Sequence, residues 1–135
     1  METKQKWIHS GFGPGSTTTE VIRGSDLCGK DIIITGCYSG IGLETTRALS
    51  SVGATVIVPA RTPEKAHAAL LGIPRVEQEQ LDLLDPVSID QFADRFLSTG
   101  RALHLLINNA GIMAVFASRP LSWSKQHLRS TLLWV

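Results

Sequence analysis

Apolar residues along this chain fall into short clusters divided by glycine- and proline-bearing turns, and the spacing within them switches between two periods. Ile32-Ile33-Ile34 is a β-branched run that predicts a buried strand. Behind glycines at 36, 40 and 42, the residues Ile41, Ala48, Leu49 and Val52 share one helical face, and Gly53 stops the helix. Ala54 to Val58 reads as a second buried strand. Thr62-Pro63-Glu64 opens a helix, with Thr62 as cap and Pro63 in the first turn, that runs to about Leu71 before Gly72 and Pro74. Val76 to Leu83 alternates as a weaker third strand. Asp85-Pro86 restarts a helix whose inner stripe is Ile89, Phe92, Phe96 and Leu97. Leu103-His104-Leu105-Leu106-Ile107 is the fourth strand, with His104 expected to pack in the core, and Asn108-Asn109-Ala110-Gly111 follows it. Ahead of all this, residues 1–29 read as a loop-like leader, in which Thr17-Thr18-Thr19-Glu20 has the form of a capping box and predicts a short helix through Ile22.

Strands alternating with helices predict a parallel sheet covered on both faces, with ligands held beyond the carboxyl ends of its strands. The stretch from Asp31 to Gly42 organises that sheet. A strand that breaks on glycine and re-enters as a helix aims free N–H groups and the positive dipole end at one spot, which suits a phosphate. Glycine lets the backbone approach a pyrophosphate closely. The spacing is G-x-x-x-G-x-G, not the common G-x-G-x-x-G, and by itself it also fits an ordinary tight turn.

Composition narrows the classes without adding chemistry. The 135 residues suggest one domain, and 43% hydrophobic with 19% charged residues fits a globular protein. A net charge of +1 gives no field favouring nucleic acid. Cys28 and Cys37 have neither metal nor disulfide-framework spacing, so a reduced, cytoplasmic setting is the default. No apolar run reaches the ~18 residues of a membrane span, and Met1 to Lys6 leads into no signal core. Cys37 stands at a helix N-terminus, where a thiolate is favoured, but reads better as a small residue that fits.

Three motifs in order carry a specific resemblance: Thr35-Gly36-x-x-x-Gly40-Ile41-Gly42, Leu81-Asp82-Leu83 and Asn108-Asn109-Ala110-Gly111. Over about residues 27–114 the chain resembles the short-chain dehydrogenase/reductase family. Pro59-Ala60-Arg61 and the run to Met113 look most like its retinol-dehydrogenase-like and bacterial reductase branch. The resemblance implies a Rossmann-type, doubly wound parallel α/β sheet, here truncated after the fourth strand. It also implies binding of NAD(H) or NADP(H) and interconversion of alcohols and carbonyls. Carried over, Gly36, Ser39, Gly40, Ile41 and Gly42 would cradle the pyrophosphate. Asp82 and Leu83 would flank the adenine, and Asn109, Ala110 and Gly111 would line its ribose and support the central strand. Arg61 lies where an acidic residue would select NAD; a guanidinium there suits a 2′-phosphate, so NADP(H) is expected over NAD(H), against the alternative of a solvated Arg opposite Glu64.

The family's chemistry implies a serine, a tyrosine and a lysine four residues after the tyrosine, all beyond the fourth strand. The single tyrosine, Tyr38, stands in the glycine loop with Gly42 four residues on, and Lys125 is the only lysine after the fourth strand. The reading is therefore a leader (1–29), a dinucleotide-binding half-domain (30–114) and an atypical basic tail (115–135), with no catalytic residue and little or no turnover. Shifting the reading of Trp123 to Thr131 by two bases permits a family-like Glu-Gln-Ala-Thr-Phe-Ala-Ile-Asn, which suggests a frameshift. Leu128, Leu132, Trp134 and Val135 could instead form an apolar helix edge that docks, although a plain disordered end is the more expected reading of the two. A non-catalytic dinucleotide-binding module and an unstable remnant remain as rival readings, and the substrate and oligomeric state are not legible.

Overall fold

The computed structural model describes residues 9–111, and among these four short strands and four helices alternate. They are α1 (Thr18–Ile22), β1 (Asp31–Ile34), α2 (Gly40–Ser51), β2 (Thr55–Ala60), α3 (Pro63–Leu70), β3 (Val76–Gln80), α4 (Pro86–Ser98) and β4 (Leu105–Ile107). All strand pairs are parallel and the order is β3-β2-β1-β4. The chain steps outward from β1 to β3 and then returns to β1's other side. That reversal leaves a crevice at the carboxyl ends of β1 and β4, where ligands of such sheets bind. Residues 112–114 of the expected half-domain, and all of 115–135 with Lys125, Leu128, Leu132, Trp134 and Val135, lie outside the described residues, as do residues 1–8.

The alternation of the strand side chains builds a core on each face of the sheet. Ile32, Ile34, Val56 and Val58 pack with Leu49 of α2 and with Ala66 and Leu70 of α3. Ile33 and Ile57 face the other way, onto Leu81 and onto Phe92 of α4, with Ile89 and Phe96 beside them. Burying each such isoleucine contributes about 1.5–3 kcal/mol.

Local signals set the element ends. Thr17 and Glu20 form the reciprocal capping box of α1, at 2.8 and 3.3 Å. Asp85 caps α4 by accepting from the Val87 N–H at 3.0 Å. Thr62 is the N-cap residue of α3, but its side chain makes no capping bond. Gly53 ends α2 with φ +100°, and a Cβ there would lie 2.5 Å from the Cys28 sulfur.

Three details depart from the sequence reading. Ile41 was expected on the inner face of α2 and is 82% exposed; the buried residues of that helix are Gly42, Thr46, Leu49 and Ser50. Leu97 was expected inside α4 and is 71% exposed, because the helix turns only one narrow edge to the sheet. His104 is not packed in the core. It precedes β4, exposed, and its Nδ1 accepts from the Asp31 N–H at 3.1 Å while its own N–H donates to the Asp31 carbonyl. β4 is the edge strand among the described residues, so Leu105 and Leu106 stay 44% and 38% exposed.

The amino end of the sheet is fastened by charge. The Arg101 guanidinium donates to both Asp31 oxygens at 3.0 and 2.7 Å and to Glu77 at 2.6 Å. The bond from Arg101 holds the Asp31 carboxyl below the usual carboxylate range. One side chain thus ties the start of β1 to β3, leaving the opposite end of the sheet for the crevice.

Candidate cofactor site

At the carboxyl end of the sheet four loops enclose a cleft of about 480 Å³. The loop after β1 contributes Gly36, Ser39, Ile41 and Gly42; Arg61 follows β2; Asp82 and Leu83 follow β3; Asn109, Ala110 and Gly111 follow β4. Ten of the eleven residues singled out from the sequence therefore share one wall. The eleventh, Gly40, begins α2 outside the lining, with φ +52° and open space for 4 Å where a side chain would stand.

The glycines serve different ends. A Cβ on Gly36, whose φ is +63°, would lie 2.8 Å from the Ala110 Cα. A Cβ on Gly42 would lie 2.5 Å from the Gly36 carbonyl oxygen and 2.5 Å from the Asn109 Nδ2. Both are required by backbone packing against the loop after β4. Of the three glycines, only Gly40 has open space where a side chain would stand.

Thr35, Gly36 and Asn109 stitch these two loops together. The Thr35 hydroxyl accepts from the N–H groups of Asn109 and Ala110 at 3.2 and 3.0 Å. The Asn109 amide donates to the carbonyls of Thr35 and Gly36 at 3.1 and 3.0 Å. Thr35 is buried. It opens the first motif read from the sequence but was given no role there; a hydroxyl directly after Ile32-Ile33-Ile34 is the signal that could have assigned one. Tyr38, Pro59, Leu81 and Leu84 are further wall residues absent from the sequence list.

Polar groups at the mouth are supplied by a helix end and by a turn. The N–H groups of Gly40, Ile41 and Gly42 precede the first intrahelical bond, from Leu43 to Ser39, and Ser39 gives them no side-chain cap. No acidic residue occupies the first turn of α2, so the positive end of its dipole is uncompensated there. Asp82 folds its own turn, accepting from the Leu84 N–H at 2.9 Å, while its N–H donates to Ser88. Arg61 is exposed at the rim.

Cys37 is the filler that its size suggests, not a thiolate. Its sulfur is buried and donates to the Ile34 carbonyl, and burial pushes the thiol up to about 12. Cys28 is exposed. An aromatic disulfide reagent is expected to titrate one thiol in the folded protein, and the second only after denaturant is added; two thiols reacting at similar rates without denaturant would contradict this placement.

A parallel sheet in the order β3-β2-β1-β4, with a glycine turn leading from its first strand into a helix, defines the Rossmann type of α/β protein. Residues 30–128 match the short chain dehydrogenase family, and the chain belongs to it. The match reaches past the 27–114 stretch that carried the sequence resemblance. Among curated relatives, the WW domain-containing oxidoreductase of Gallus gallus is 39% identical over 116 residues, covering 82% of this chain and 27% of that protein. Retinol dehydrogenase 12 of Mus musculus is 41% identical over 112 residues, covering 78% of this chain and 34% of that protein. The chain therefore spans about a third of the length of these relatives. Among solved structures, a metagenomic short-chain oxidoreductase in complex with NADP superposes with a TM-score of 0.70 at 28% identity, over 78% of this chain and 51% of that one. The family consists of oxidoreductases that use a nicotinamide dinucleotide. Among the described residues no helix is long and apolar enough to cross a membrane.

Proposed function

We propose that this chain binds NADP(H) in the cleft, with the phosphates at the N-terminus of α2 and the adenosine between Arg61 and the turn after β3. The observation that carries this reading is the start of α2. It is an uncapped helix end without an acidic neighbour, opened by Gly40, on the rim of a cleft of about 480 Å³. The residues fit the group: amide donors for a diphosphate, apolar Leu81 and Leu83 for an adenine, and the Asp82 carboxylate as an acceptor for its amino group. Arg61 adds a fixed positive charge where an acidic residue would instead favour a free 2′-hydroxyl.

A bound dinucleotide supplies or accepts the hydride when an alcohol and a carbonyl are interconverted. This chain's own residues do the holding. Gly36 to Gly42 present the amides, Asn109 and Thr35 keep that loop in shape, and Arg61 reads the 2′ position. The tyrosine–lysine pair that the resemblance implies for proton transfer is not among these 135 residues, and no proton-transfer role is assigned to any of them.

Titration of the protein and of Arg61→Ala with NADP+ and NAD+ tests the assignment. The variant should bind NADP+ roughly tenfold to a hundredfold more weakly, with NAD+ affinity nearly unchanged. Equal losses for both cofactors, or no loss for NADP+, would remove Arg61 from the site.

A further inference from the structure

The two strands that bring the cleft loops together are almost uniform in side chain. β1 contains Ile32-Ile33-Ile34, β4 is Leu105-Leu106-Ile107, and Ile33 stands opposite Leu106. A parallel strand that is apolar on both faces has no alternation to fix its register. A slip of one residue would set Leu105 opposite Ile33 and Leu106 opposite Ile34, so that apolar would still meet apolar, with only His104 meeting Ile32. The same slip would bring Asn108 to the place of Asn109. The Thr35 hydroxyl would still find N–H groups to accept from, because every non-proline residue carries one.

The amino end of the pairing is not uniform. Every polar group of Asp31 is taken by residues 101–104. Arg101 donates to both carboxylate oxygens, at 3.0 and 2.7 Å. The Asp31 N–H donates to the His104 Nδ1 at 3.1 Å, and the Asp31 carbonyl accepts from the His104 N–H at 3.0 Å. The Asp31 side chain is only 15% exposed. The one-residue slip would put Gly100 in the place of Arg101 and Leu103 in the place of His104, and neither side chain has a donor or an acceptor. The carboxylate would lose its cation. We propose that Asp31, Arg101 and His104 form a register lock for β4, and that Arg101 is thereby a positioning residue for the cleft wall that follows this strand. The lock lies at one end of β4, and the wall residues Asn109, Ala110 and Gly111 lie at the other. A bidentate, charge-assisted pair discriminates by direction as well as by energy, which a register device requires. The lock concerns how β4 is placed on β1 and does not depend on what the cleft binds.

Nuclear Overhauser and amide-exchange spectra of the full chain and of Arg101→Met test this. Methionine keeps an unbranched stem and removes the guanidinium. The parent should show one set of cross-strand contacts, with Ile33 opposite Leu106. The variant should add a second set with Ile33 opposite Leu105. Its Asn109 and Ala110 amides should exchange about tenfold faster, while the Val56 amide, which donates to the Arg75 carbonyl away from β4, is unchanged. Arg101→Met combined with Asp31→Asn leaves no carboxylate without its cation and should still show the second set; it also carries the measurement if the single variant does not fold. Glu77→Gln, which loosens only the tie from Arg101 to β3, should keep the single set. One in-register set in Arg101→Met or in the double variant would overturn the proposal. So would equal acceleration at Val56, which would make Arg101 a residue of general stability, or a slipped set in Glu77→Gln.

Discussion

Gly42→Ala should destabilise the protein by about 3 kcal/mol or more, although it adds a single methyl group. The added carbon would stand 2.5 Å from the Gly36 carbonyl oxygen and 2.8 Å from the Cys37 Cα, and neither backbone atom can rotate away. It would also stand 2.5 Å from the Asn109 amide nitrogen, which donates to the Thr35 and Gly36 carbonyls. Relief requires moving α2 off the sheet or expelling Asn109, and the second route leaves part-buried carbonyls unpaired. Urea unfolding followed by circular dichroism should show a lower midpoint at an unchanged slope. Gly40→Ala is the control: its φ of +52° makes alanine cost about 1 kcal/mol, but nothing lies within 4 Å to be displaced. Equal costs at the two positions would refute the packing account.

Thr35→Val is expected to cost about 2–4 kcal/mol, the second of the two large effects. Valine keeps the shape of threonine and removes the oxygen that accepts from both Asn109 and Ala110. The Ala110 N–H then lacks its acceptor in a part-buried loop, and the Asn109 N–H keeps only its bond to the Ile107 carbonyl at 3.1 Å. Hydrogen exchange at Asn109 and Ala110 should accelerate, and Thr35→Ser should restore most of the protection because it keeps the acceptor. A valine variant as stable as the parent, with the two amides still protected, would mean the hydroxyl holds nothing.

The strands and their order along the chain were legible because apolar runs and turn residues are local signals. Ile32 to Ile34 and Val56 to Val58 needed no tertiary information. The capping box at Thr17 and the cap at Asp85 were legible for the same reason. The inner face of α2 was legible only in part, at Leu49. The helix buries small and polar residues, Gly42 and Thr46 near the glycine turn and Ser50 at its other end, and a search for hydrophobic periodicity passes over them. Thr46 and Ser50 remain tolerable inside because their hydroxyls donate to the Gly42 and Pro74 carbonyls. His104 and the exposed Leu105 and Leu106 failed for a related reason. An apolar run shows that a strand forms, but not whether another element covers it. At the cleft, glycines and asparagines were legible as motif letters. Thr35 was legible as a letter too, but not its role, which lies in bridging the loops after β1 and β4.

The close approach of Gly36 to Ala110 makes the bend after β1 dependent on residues more than seventy positions away. A fragment ending before Leu105 would spell the glycine signature in full, yet it would lack the strap that fixes its curvature. On the dinucleotide reading proposed above, peptides cut from this region should show no nucleotide affinity of their own, because the bend takes its shape only once β4 has closed on it.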